Sequence, residues 1–227
     1  LTGKTTVNDA ATLHLAANGQ TKAEDLLLNK GTLAIDAPDA NQDVSSTHVD
    51  FLTVNNGAIR FGSANNGKFT ALDIHQLDGS GGTLYFNDPH SAVTGNHLTA
   101  DAISGHYHLS VDDSYSLADR LDLISVTSAG KNNGTYDLIN KKGEKIDAID
   151  LHVYVGKLTR DADHPDAIAI RQDKSTTTRP TDAPYGALSS VPFIADGEMQ
   201  SVRSCPADLH NAGHDAVGSW GRHLTND

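Results

Sequence analysis

The chain has a single cysteine, a single tryptophan and a single methionine in 227 residues. One thiol, Cys205, excludes an intramolecular disulfide framework and a cysteine-rich zinc site. It fits a cytosolic protein and equally a secreted one that must cross a membrane unlinked. Cations are also sparse: 17 Lys and Arg stand against 29 Asp and Glu, for a formal net charge of −12. Scattered bases on an acidic chain argue against a nucleic-acid groove or an anionic membrane surface. No apolar run approaches the roughly 20 residues that a helix needs to span a bilayer. The chain opens on "LTGKTTVNDA" without an initiator Met, a basic n-region or an apolar h-region, so it reads as a segment of something longer. It holds no Gly-x-Ser-x-Gly elbow, no His-Glu-x-x-His helix and no P-loop.

What is present is alternation. Aromatics are 5% of residues, whereas Gly, Asn, Asp, Ser and Thr are plentiful, a mixture for short strands and tight turns. "TTVNDAATLHLAANG" (5–19) alternates and stops at Asn18-Gly19. "AEDLLLNKGTLAIDAPDA" (23–40) turns at Asn29-Lys30-Gly31, and "HVDFLTVNNGAIRFGSANNG" (48–67) turns at Asn56-Gly57 and Asn66-Gly67. "FTALDIHQLDGSGGTLYFNDP" (69–89) is expected to break at Gly79 to Gly82, and "HLTADAISGHYHLSVDD" (97–113) at Ser104-Gly105. A strand, a corner and a second strand thus recur every 20 to 25 residues. Evenly spaced strands also suit a sandwich or barrel, but a repeat of this length with Asn/Gly corners favours a right-handed parallel β-helix. The inward candidates are Leu13, Leu15, Leu26, Leu28, Leu33, Ile35, Leu52, Val54, Ile59, Phe61, Leu72, Ile74, Leu84 and Phe86. The expected fold class is all-β, a solenoid with a C-terminal mixed β cap, followed by a linker and a short helical stretch.

The expected organisation is β-helix rungs over 1–67 and a cap over 68–172, whose later part has hairpin-like turns at Asn132-Asn133-Gly134 and Lys141-Lys142-Gly143. An open solenoid end exposes apolar side chains and unpaired backbone, so it needs such a cap. A Pro- and Thr-rich linker follows at 173–190. Residues 191–227 read as a weakly helical stretch ending in an alternating strand, "GSWGRHLTND", with Trp220, Arg222 and Leu224 on one face.

This order of elements resembles the C-terminal part of a bacterial autotransporter passenger. The pertactin-like or autochaperone region is matched best: "GSGGTLYFNDP" (79–89) is similar to its Gly-rich strand entry, and "GNHLTADAISGHYHLSVDD" (95–113) to its next strand run, with Asn96 at a usual Asp. "DRLDLISV" (119–126) and "IDLHVYVGKL" (149–158) resemble the hairpins that follow. "DLHNAGHDAVGSWGRHLTND" (208–227) resembles the junction of pore helix and first barrel strand, although Cys205-Pro206 stands where the family has an uninterrupted helix. The resemblance implies a non-enzymatic role without cofactor or metal: folding nucleus and stable cap of an adhesin or virulence factor during outer-membrane secretion. It implies as partners the translocator β-barrel of the same polypeptide and the outer-membrane assembly machinery, with host-cell or bacterial-surface ligands bound by further N-terminal rungs. The implied location is the cell surface, or the medium after passage through the periplasm. The nucleus residues expected are Leu84, Phe86, Leu109, Val111, Leu121, Leu123, Ile124, Leu138, Ile149, Leu151, Val153 and Ile168.

Other chemistries are weighed against that reading. "DGSGG" (78–82) differs from a trypsin-like nucleophile loop by transposed Asp78 and Gly79, and fits a solenoid corner better. His106 and His108 share a strand face, and Asp161, Asp163 and His164 lie close in sequence. Nothing in the sequence makes three or four ligands converge, so these are expected to be strand and turn residues. The acidic corners (Asp36, Asp39, Asp43; Asp112, Asp113) lack the repeat of calcium-binding β-rolls. A polysaccharide-degrading β-helix enzyme is the alternative, with Asp50, Arg60 and Asp73 as candidates for one exposed face. A trimeric tail-spike solenoid is a third.

Overall fold

A computed structural model describes residues 1–17, 20–38, 47–63, 68–87, 95–112, 119–151, 154–160 and 162–177. These belong to a first compact unit, Leu1–Pro180; a second, Thr181–Asp227, lies outside the described residues, and with it the expected helical stretch and final strand. The described elements are all strands.

Each turn of chain lays down one strand on each of two stacks. The strands β1 (Lys4–Val7) and β2 (Thr12–Leu15) are followed by β3 (Lys22–Asn29) and β4 (Thr32–Ile35), then by β5 (Thr47–Asn55) and β6 (Ala58–Phe61). The long strands β7 (Ala71–Phe86) and β8 (His97–Val111) each contribute to both stacks. All these pairings are parallel, and each residue's partner lies 20 to 29 residues along the chain. The chain is therefore an all-β solenoid. Beyond β8, β9 (Arg120–Val126) continues the first stack and β10 (Asn132–Ile139) the second. Thereafter β11 (Ile149–Leu151), β12 (Tyr154–Thr159) and β13 (Ala167–Thr177) turn antiparallel, in the order β9-β13-β12-β11. β5 pairs directly with β7, so stacking runs without a break past residue 67.

The core follows from the register. Period-two alternation turns every second side chain inward, and a constant register then stacks like on like. Leu26, Leu52, Leu77 and Ile103 form one such column, and Leu33, Ile59, Leu84, Leu109 and Leu138 another. Phe61 and Phe86 stack face to face, centroids 5.1 Å apart. Of the inward candidates all are buried except Leu13, which is half-buried at the first turn.

Three local expectations are corrected. The strands do not break at Gly79 to Gly82 or at Ser104-Gly105; β7 and β8 bend there on positive-φ glycines and pair again beyond the bend, with a register shift between Ser80 and Gly82. Asn132-Asn133-Gly134 is no turn but the start of β10, paired with Ile103, Ser104 and Gly105. The linker does not begin at 173, because β13 runs to Thr177; Lys157 holds Asp173 at 2.6 Å across the β12–β13 pair, and Thr-rich sequence suits a strand. The turn at Lys141-Lys142-Gly143 is present, closed by Asn140 N–H to the Glu144 carbonyl at 2.9 Å.

Candidate functional site

The joint between the last turns and the cap is where most of the expected nucleus residues lie. Leu84, Phe86, Leu109, Val111, Leu121, Leu123, Ile124, Leu138, Ile149, Leu151 and Ile168 are all buried in one apolar cluster. Val153 lies outside the described residues. Leu84, Leu109 and Leu138 are in register from β7 through β8 to β10, and Ile168 faces Ile124 across the antiparallel β13–β9 pair. A bulge in that pair between Ile168 and Ala169 leaves Leu123 without a direct partner. The extra residue shifts the alternation by one, so that Leu121 and Leu123 before it and Ile124 and Val126 after it all point into the core. The core of the joint also takes Tyr107, Ile103, Leu98 and Ile170. Tyr107 was missed because a tyrosine flanked directly by two histidines reads as surface.

A polar clasp, also missed, ties the cap to β10. Arg160, after β12, donates to the Asn132 carbonyl at 3.0 Å and the Gly134 carbonyl at 2.7 Å. The Asn132 side chain accepts from the Tyr136 hydroxyl at 2.8 Å and donates to the Asp166 carbonyl at 3.1 Å. The Asp166 carboxylate accepts from Gly130 N–H at 3.0 Å. Burial pushes the Tyr136 phenol up to about 12, against the opposing pull of Arg160 and of the Asn132 hydrogen bond, so it stays a donor. Arg160→Met keeps the stem and removes the charged donors from carbonyls set in a half-buried joint. The expected cost is about 1–2 kcal/mol, read as a lower urea midpoint, and Arg160→Lys should recover only part because one ammonium cannot span both carbonyls.

Along the outer faces, histidines pair with aspartates one turn on. His14 meets Asp36 at 2.7 Å, His48 meets Asp73 at 3.1 Å, His75 meets Asp101 at 2.7 Å and His106 meets Asp137 at 3.0 Å. His48 also binds Asp50 at 2.8 Å. Pairs this exposed are each worth little. Asp50 and Asp73 thus converge on one imidazole, whereas Arg60 lies on the other stack, its guanidinium 3.8 Å over the Tyr85 ring. Ser80 sits in the β7 bend; the neighbouring His106 has its ring nitrogens engaged by Thr135 and Asp137, so no nucleophile–base pair forms there.

No family model, curated protein or solved structure matches this chain. Its chemistry must be read from its own residues.

Among the described residues one group of three metal-ligating side chains converges: His106, His108 and Asp137. The shared face of the two histidines was legible; Asp137 was not, since it reaches them through a 29-residue register offset. Asp163 and His164 are not part of it, and Asp161 lies outside the described residues.

Two histidines make the structure responsive to pH in adjoining windows. Burial disfavours the charged form of His48, but hydrogen bonds to Asp50 and Asp73 and their charges outweigh it and raise its pKa above 6.5. Its contribution is complete below pH 6.5 and is lost as pH rises through the folded value. His97 is 5% exposed, where β8 meets β9, with Nε2 2.8 Å from Ser125 Oγ. Burial lowers its pKa, with the Asp122 carbonyl and the Asp122 charge, itself paired with Arg120, opposing. Its contribution is present above pH 6.5 and is lost as pH falls through the lowered folded value. We expect His97→Gln to lose less stability than the natural chain as pH falls below 6.5, measured by urea unfolding. Parallel curves would show that His97 does not titrate in this way.

Proposed function

We propose that the chain is the C-terminal passenger region of an autotransporter surface protein, an adhesin or virulence factor, and that it acts as folding nucleus and stable cap of the β-solenoid during outer-membrane secretion. The observation that carries this reading is the change from parallel ladders to the antiparallel β9-β13-β12-β11 sheet over the end of the core. Solenoid stability is a sum of unit stabilities and nearest-neighbour interfaces, so folding starts where one unit is most stable and propagates. The capped end joins the stacked columns, the Leu123 bulge and the Arg160 clasp in one place. A segment that folds first outside the cell gives following turns a template and opposes backsliding. Its partners are then the translocator β-barrel of the same polypeptide and the outer-membrane assembly machinery, and its place is the cell surface.

The test is display. The chain, fused upstream of a translocator barrel in a Gram-negative host, should reach the surface, where added protease cuts it on intact cells. The same fusion with Leu123→Asp should stay inside. Normal display of that variant would sink the folding-nucleus reading.

A further inference from the structure

We propose that His106, His108 and Asp137 bind one divalent transition-metal cation, zinc by preference, on the outer face of the turn that meets the cap. The strand β8 sends Tyr107 and Leu109 into the core and therefore His106 and His108 outward. The parallel register with β10 sets Thr135 beside His106 and Asp137 beside His108. A ring nitrogen of each histidine and a carboxylate oxygen of Asp137 lie within 4.8 Å of one another. Ligand atoms bonded tetrahedrally to zinc at about 2.0–2.1 Å stand roughly 3.3 Å apart. Side-chain rotation alone covers that difference.

His106 is held at both ring nitrogens. The Thr135 hydroxyl lies 2.8 Å from His106 Nδ1 and 3.5 Å from the Gly105 carbonyl. Its Nε2 lies 3.0 Å from Asp137 Oδ2. Beside them, edge-on to His106 at a centroid distance of 5.0 Å, the His108 Nδ1 is buried with no hydrogen-bond partner. Buried polar atoms are nearly always satisfied, by an ion or water where the protein offers nothing. One cation gives the His108 ring the partner it lacks and joins His106 Nε2 to Asp137, with Thr135 as the outer hydrogen bond that fixes the His106 ring.

Two imidazoles with one carboxylate suit zinc and its neighbours rather than calcium or magnesium, which take oxygen ligands. Three protein ligands leave a fourth position for water. Lys145 opposes the ion: its Nζ is 2.8 Å from the other Asp137 oxygen, on a side chain 70% exposed that can swing away. The bound ion would pin β10 to β8 and so hold the last parallel turn. None of this depends on the secretion reading.

The test uses the full chain, free of any affinity tag and stripped of metal, titrated with Zn²⁺ by calorimetry and with Co²⁺ by visible absorption. One equivalent should bind, and Co²⁺ should show the intense bands of a four-coordinate site. Asp137→Asn and His108→Ala should each weaken binding by at least about tenfold, and Thr135→Val by about tenfold with unchanged stoichiometry. Lys145→Gln should tighten it, which a purely structural role for the cluster would not predict. Circular dichroism checks each fold; if His108→Ala loses strand signal, the isosteric Asp137→Asn decides. Absence of saturable uptake would overturn the proposal. One-equivalent uptake unchanged in Asp137→Asn would overturn it too, by placing the metal on the chain's other histidines.

Discussion

A chain carrying Leu123→Asp is expected to lose its cap as a cooperative unit, with a stability loss of about 5 kcal/mol or more. Two costs add. The fully buried Leu123 side chain gives up about 1.5–3 kcal/mol of apolar burial. The aspartate must then be buried unpaired or protonated, or must drag the strand open, and each route costs several kcal/mol. Relief by local adjustment is blocked because Leu123 sits in the β9 bulge, with Leu121 and Ile124 buried on either side in the same core. The sum reaches the whole stability of many domains. Urea unfolding by circular dichroism should show an early transition, or no folded baseline for the cap strands. Leu123→Ala separates the terms: it leaves a cavity but no charge, and should cost about 2–5 kcal/mol. Equal effects of the two variants would mean that residue 123 is wetter than its burial indicates.

The expected effect rests on a core that alternation made legible. Leu26, Leu52, Ile59 and Leu84 could be assigned inward from the sequence because period-two patterning and a repeat length together set the face. Asn56-Gly57 was legible for a local reason: Asn56 adopts φ 51°, a conformation that Asn tolerates. The misreadings share a cause. Glycine and Asn-Gly pairs are treated as breaks, yet at Gly79, Gly105 and Asn132 the neighbouring turn keeps the backbone paired through the bend. What Asn132 does is decided by Tyr136, Arg160 and Asp166, the last two 28 and 34 residues away. The histidine–aspartate pairs were hidden likewise, because their separations vary from 22 to 31 residues as the corner loops change length. A side chain's own face can be read from its neighbours in sequence. Its partner on the next turn requires the register.

Gly105→Ala is expected to rival the core variant although it adds a single methyl. Gly105 holds φ at 101°, which costs any other residue about 1–3 kcal/mol of backbone strain. An added Cβ would also lie 2.0 Å from the Gly79 carbonyl oxygen of the turn before, and 3.2 Å from the Tyr107 hydroxyl. Gly79 cannot retreat: the space beside its own α-carbon is closed by the Val54 carbonyl, 2.2 Å from where a Cβ would stand. The bend is therefore a column of backbone on backbone through three turns, and the methyl must force them apart. Overpacking of this kind costs a further 1–3 kcal/mol or so, for a total near 4 kcal/mol. Gly143→Ala is the control. It too has positive φ, 83°, but its Cβ would meet nothing within 4 Å, so it should show the conformational penalty alone. A Gly105→Ala loss about twice that of Gly143→Ala would place the added cost in the stacking of turns. Equal losses would mean that the column yields, and that the corner glycine serves only its own dihedral angle.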